Sequence, residues 1–394
     1  MDFDIELPIL TVEDDATWEA ILRNLYWVDY RIEDVRRLSS EHSLVRIAFA
    51  EANVPTNLIK SIESAAMEMF RLHKRISNRV LFSRGRNEQR NGISPLAELI
   101  ERGSLRHIDG AIEASGLFLL LMRSLDREFL RFARNLHAEE YEFPSTLPLT
   151  LAKRCGILDN YSHHTYFIGN LQYSIETVKQ LRSAITEYPD RVVWGEMLGS
   201  PAKILAPAVC YHYWGHAKED WDDENDLEIG TALGKCYRFE LPAPSTLDRL
   251  REFRMREVFA VGTTERTKEI RQRFLDYLAD LLTRLDLDGN IETAFDSFYL
   301  DQYASKRFYQ LGFELKFELC GWLPYQKRKI AVASVNDHRD FFTKAFDVVS
   351  RKGEQLESCC LAFGLERLAL VILEQHGIDP RTWPAELRRF ADEQ

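Results

Sequence analysis

The stretch that most constrains this chain covers residues 236–262, CYRFELPAPSTLDRLREFRMREVFAVG. Its opening, through Tyr237-Arg238-Phe239-Glu240, has the apolar and aromatic character of a buried strand. Pro242 and Pro244 follow in a loop that turns the chain into a second strand, which carries Phe253-Arg254-Met255-Arg256-Glu257. Two antiparallel strands joined by a basic loop, with Arg238 near one end, make a cradle for a triphosphate. Arginine suits that task because its planar fork pairs phosphate oxygens two at a time and keeps its charge. A surface hairpin laced with ion pairs is the other reading of the same residues.

A second stretch weighs on that choice. Cys360-Leu-Ala-Phe-Gly364-Leu-Glu366-Arg367 runs into the apolar-periodic Leu368, Leu370, Val371 and Leu373. A strand, a glycine at the tight point and an arginine on the first helical turn aim a second guanidinium at a phosphate. Taken together, the two stretches resemble motifs 2 and 3 of the class II aminoacyl-tRNA synthetases.

The chain has 394 residues, which predicts one large domain with a smaller one appended. A net charge of −11 argues against broad non-specific nucleic-acid binding. Met1-Asp2-Phe3-Asp4 is acidic where a secretory signal is basic, and six cysteines without framework spacing read as reduced thiols, so a cytoplasmic location is expected. The apolar run at 116–122 falls well short of the roughly 20 residues a membrane span needs, so no membrane partner is expected.

In chain order, residues 1–92 read as a mainly helical extension. Thr11 and Asp14 offer a helix start, with Trp18, Ile21, Leu22 and Leu25 at helical spacing. A short β-like run covers 44–49, and Pro55 opens a helix with Leu58, Ile59, Ile62, Ala66, Met69 and Phe70 on one face. The polar stretch 83–92 reads as a connector. The main domain, 93–394, holds a long helix over 117–136 ahead of Phe143-Pro144. It continues with helical residues 173–187, strands over 192–198 and 205–213, an amphipathic helix over 264–285, and strands over 313–319 and 330–336.

The closer resemblance is to the amino acid:[carrier protein] ligases, truncated homologues of the atypical zinc-dependent seryl-tRNA synthetases. It covers about 95–394 and rests on ordered strings: FRMRE (253–257) with Gly262-Thr263, KFEL (316–319), AVASVNDH (331–338), AFGLER (362–367) and the tail from His376 to Trp383-Pro384. The resemblance implies an α+β fold, a class II antiparallel sheet flanked by helices, and a homodimer built on the 117–136 helix. It implies a zinc ion held by Cys210, Glu257 and Cys360, with Cys359 as the rival of Cys360. It places Arg238 and Arg367 on the phosphates of ATP as the catalytic pair. Glu240, Arg249, Leu250, Lys316 and the strand Ala331, Val332, Ala333, Ser334 complete the ATP site, and Glu257 also recognises the substrate amine.

The implied reaction is attack of a small amino acid's carboxylate on ATP with Mg²⁺, followed by transfer to the phosphopantetheine thiol of an acyl carrier protein. tRNA is an unlikely partner on this reading. The alternative is a zinc-dependent seryl-type tRNA synthetase whose first 90 residues bind tRNA. His163, His164, His212, His216 and His338 read as pocket or core residues. Arg266, Lys268, Arg271 and Arg273 offer a basic docking face for an acidic carrier.

Overall fold

The computed structural model describes residues 2–7, 18, 21–22, 24–29, 31–38, 44–49, 56–73, 78–187, 195–217, 220–221, 226–241, 246–295, 310 and 313–391. Thr11, Asp14, Pro55, Pro242 and Pro244 lie outside them. Strands β1 (Asp2–Glu6), β2 (Ile32–Arg37) and β3 (Leu44–Phe49) pair antiparallel in the order β1-β3-β2. Helix α1 (Thr56–His73) shares their core: Leu58, Ile62, Ala65 and Ala66 pack with Ile5, Val45, Ile47 and Phe49. Among the described residues the extension therefore combines a three-stranded sheet with helix, where a mainly helical extension was expected.

Strand β4 (Val80–Arg84) moves the boundary as well, because it is an edge of the main sheet rather than part of the extension. Helix α2 (Gly116–Asn135) follows, burying Phe118, Leu121, Met122, Leu125, Phe129 and Ala133 at three- and four-residue spacing. The remaining sheet strands are β5 (Glu139–Tyr141), β6 (Leu227–Tyr237), β7 (Glu252–Gly262), β8 (Gly289–Thr293), β9 (Lys316–Leu323), β10 (Arg328–Arg339) and β11 (Glu357–Gly364). Their order is β4-β8-β9-β10-β11-β7-β6-β5, antiparallel except for the parallel pair β5–β6.

Helices α3 (Thr264–Arg284) and α4 (Leu365–His376) cover one sheet face together with α2. The Thr263 hydroxyl caps α3 by accepting the Arg266 N–H, and Ile270, Phe274, Leu278 and Leu281 turn inward. Alternation along each strand then sorts the residues between two faces. Val258, Ala260, Leu361, Phe363, Ala333 and Val335 enter the helix-side core, while Phe259, Val261, Cys360, Met255 and Ala362 enter smaller clusters on the opposite face. The chemistry lies on that opposite face. No helix among the described residues is long and apolar enough to cross a membrane.

Several local expectations change. The 205–213 segment is a strand only at Lys203–Leu205, and Cys210 opens a 3-10 turn, Cys210–Gly215. Residues 195–197 form a 3-10 turn instead of a strand, and 192–194 lie outside the described residues.

Candidate active site

Glu257 sits at the middle of β7, buried, between Ala232 of β6 and Ala362 of β11. Two small neighbours leave its carboxylate room to leave the sheet plane. Both oxygens accept backbone N–H groups, from Val209 at 2.8 Å and Cys210 at 3.0 Å. The segment supplying those donors is anchored at both sides, because Ala206 N–H donates to Ser145 and the Ala206 carbonyl accepts Tyr237 N–H at 2.9 Å. The 3-10 turn thus delivers the Cys210 thiol beside Glu257.

Cys360 lies in β11 opposite Phe259 and Asn336, on the same face as Glu257. Ligand atoms of Cys210, Glu257 and Cys360 all fall within 4.8 Å of one another, and all three residues are buried. Cys359 points the other way, into the helix-side core, with its thiol 3.7 Å from the Thr267 carbonyl. The alternation of β11 separates the two cysteines and leaves Cys360 as the one at the site.

The electrostatics of this trio fit a divalent cation. The Cys210 thiol donates toward Cys360, which pushes Cys210 up and holds Cys360 well below the ordinary thiol range. Burial, and then the charge of Cys360, pushes Glu257 up. At about 4 Å and an effective dielectric of about 20, each like-charged pair costs about 4 kcal/mol, so three bare anions would not coexist here. A cation removes that cost, and two thiolates with a carboxylate are a donor set for zinc with one position open.

Around the trio stand Asn336, which had no role assigned from sequence, and His338, expected as a pocket or core residue. The Asn336 amide donates to Cys360 Sγ at 3.4 Å and to Ser334 Oγ at 3.2 Å. His338 places Nε2 3.5 Å from Cys360 Sγ and Nδ1 3.2 Å from Ser358 Oγ. The signal was available in AVASVNDH: Ser334 and Asn336 are two apart on the strand that pairs with Cys360.

Arg238 lies one residue beyond the end of β6, not within it. Its Nε donates to the Pro207 carbonyl at 3.2 Å, and its guanidinium lies 5.2 Å from the Phe253 ring centroid. Arg249 pairs with Glu240 at 2.7 Å. Arg367, on the first turn of α4, donates to the Ala331 carbonyl at 3.1 Å. Burial first, and then the charge of Arg238, holds Arg367 below its ordinary value. Two half-buried guanidiniums that feel each other need anionic company, and Glu318, Glu240 and Asp248 stand near.

Lys316 pairs with Glu318 at 3.1 Å, while Val332, Ala333 and the Leu250 side chain belong to the helix-side core. The other arginines of FRMRE are structural. Arg256 is buried against Asp126 at 2.7 and 3.0 Å, and Arg254 reaches Glu366 at 3.1 Å, so both tie β7 to the helices.

On the proposed docking helix, Arg271 faces inward, with its guanidinium 5.4 Å from the Phe317 ring and bonded to the Glu314 carbonyl. Arg266 pairs with Asp226 and Glu269, while Lys268 and Arg273 are exposed.

A central antiparallel sheet with half-buried arginines after β6 and at the start of α4 has the class II synthetase-like fold. No family model matches the chain. Its homologues are amino acid–[acyl-carrier-protein] ligases and type-2 serine–tRNA ligases. It is 29% identical over 256 residues to amino acid–[acyl-carrier-protein] ligase 2 of Bradyrhizobium diazoefficiens, covering 65% of this chain and 75% of that one. To the type-2 serine–tRNA ligase of Methanococcus aeolicus it is 28% identical over 256 residues, covering 62% of this chain but 48% of that relative. The solved complex of M. kandleri SerRS with A. aeolicus tRNASec has the same fold, with a TM-score of 0.71 and 22% identity over 98% of this chain and 77% of that one.

Proposed function

We propose that this ligase activates a small amino acid with ATP and Mg²⁺ as an aminoacyl adenylate and transfers it to the phosphopantetheine thiol of an acyl carrier protein. The observation that carries the reading is the buried Cys210–Glu257–Cys360 donor set, and the proximity of Arg238 and Arg367 to each other supports it.

On this reading Arg238 and Arg367 bind the triphosphate and offset the repulsion between the incoming carboxylate and the α-phosphate. Glu240 holds Arg249 beside the nucleotide, and Lys316 with the Ala331–Ser334 stretch of β10 completes its seat. Zinc, when held by Cys210, Glu257 and Cys360, supplies a Lewis-acid site for the substrate's unprotonated amine. Glu257 is fixed for that task by its two backbone donors, and Asn336 and His338 hold Cys360 in place. No protein nucleophile is needed, because the acceptor thiol displaces AMP.

Transfer to a carrier is favoured by coverage: the chain spans three quarters of the carrier-protein ligase but about half of the tRNA ligase. A second reading, aminoacylation of tRNA, is favoured by the tRNA-bound structure whose fold extends over 98% of this chain, N-terminal module included. A homodimer through α2 belongs to both.

The deciding experiment offers preformed labelled aminoacyl adenylate on the enzyme to a phosphopantetheinylated carrier and to tRNA in parallel. Labelled carrier with uncharged tRNA is expected. Charged tRNA with no labelled carrier establishes the second reading.

A further inference from the structure

Trp27 of the N-terminal module stands against the segment that follows β6. Trp27 stands edge-on to His163 at 5.3 Å, His164 at 5.9 Å and Phe239 at 6.1 Å between ring centroids. Phe239 is the residue between Arg238 and Glu240, and all three lie beyond the end of β6. Past that end the sheet ladder no longer fixes the chain, so other contacts must.

Phe239 N–H donates to the His164 carbonyl at 2.8 Å, and His164 Nδ1 lies 3.0 Å from the Phe239 carbonyl. The Phe239 ring is bounded by Tyr166 at 5.5 Å and by the Arg251 guanidinium at 5.2 Å. Arg251 in turn donates to the Glu240 carbonyl at 3.2 Å, and Arg238 N–H donates to the Arg251 carbonyl at 2.9 Å. Trp27 closes the remaining side. Tyr161, Leu241 and Phe295 extend the same contact, packing against the module's core.

We infer that Trp27 is a positioning residue for the nucleotide: it wedges the 161–164 turn and Phe239 into the geometry that aims Arg238 and Glu240. The module is then a working part of the adenylation site whatever acceptor it also serves. This rests on the reading of Arg238 and Glu240 as ATP contacts. Misplacement by about 1 Å costs up to 10²-fold at a reacting centre.

The test uses the full chain. Binding of Mg²⁺·ATP is measured by calorimetry, and pyrophosphate exchange by kinetics, for wild type, Trp27→Ala, Trp27→Leu and Trp27→Phe. Trp27→Ala is expected to weaken ATP about tenfold in Kd and KM, with the amino-acid KM unchanged and Trp27→Phe within about threefold of wild type. Should the Ala chain not fold, Phe lying closer to wild type than Leu supports the inference. Equal ATP constants across the folded variants, beside tight wild-type binding, overturn it alone. Equal losses for ATP and amino acid mark a merely structural wedge and overturn it too. A wild-type chain that binds no ATP overturns the inference together with the reading beneath it.

Discussion

The two halves of this protein position side chains by different means. On the catalytic face, Glu257, Cys360, Ala362 and Asn336 sit in four-stranded register, β6-β7-β11-β10, so each side chain's direction follows from its place in the ladder. Among the described residues no strand of the N-terminal module pairs with the main sheet, and the module meets the segment after β6 in a cluster of rings around Trp27. A ladder fixes geometry through many cooperative backbone bonds, whereas a ring cluster fixes it through a few contacts of modest strength. Substitutions that remove a group from the register-fixed face should therefore be severe, and those in the ring cluster graded.

The largest effect is expected at the two arginines proposed to bind the phosphates, which lie beyond the end of β6 and on the first turn of α4 rather than within the ladder. Arg238→Ala and Arg367→Ala should each cut adenylate formation by roughly 10² or more, by the loss of one preorganised charge donor. Pyrophosphate exchange measures this, and metal content should stay unchanged in both. Near-normal exchange in either variant breaks the phosphate role assigned to that residue.

The sequence made the fold of the main domain legible because its strings lie on regular strands. Glu257 and Cys360 come from the family resemblance, with Cys359 as a rival that the alternation of β11 then turns away from the trio. Arg367 is read from a glycine at a strand–helix junction. Cys210 was misplaced on a strand because Leu205 to Tyr213 is apolar and aromatic, while the backbone bonds that coil it come from a carboxylate 47 positions away. The module was misread for a different reason. In β2 a bulge between Ile32 and Asp34 shifts the register, so its buried residues, Ile32 and Val35, stand three apart as in a helix. Trp27 carried no sequence signal at all, since its partners lie more than 130 residues away.

A smaller effect sharpens the contrast from the module side. Burial, and then the neighbouring His164, pushes His163 down to about 4, against an ordinary 6.5, while Glu240 pulls it up. Burial pushes His164 down as well. The unfolded chain therefore binds these protons before the folded chain does. The stability they contribute is complete above about pH 6.5 and lost as pH falls toward about 4. His163→Asn should flatten the fall of melting temperature over that window by on the order of 1–2 °C. An unchanged slope would place His163 outside the contact that the rings define.

The most direct test of the central claim is the metal content of the purified chain. Cys210, Glu257 and Cys360 converge in one dry place that suits a divalent cation. About one zinc per chain is predicted for the wild type, with none in Cys210→Ala or Cys360→Ala and amino-acid activation lost along with it. Stoichiometric zinc retained in both variants would contradict the assignment.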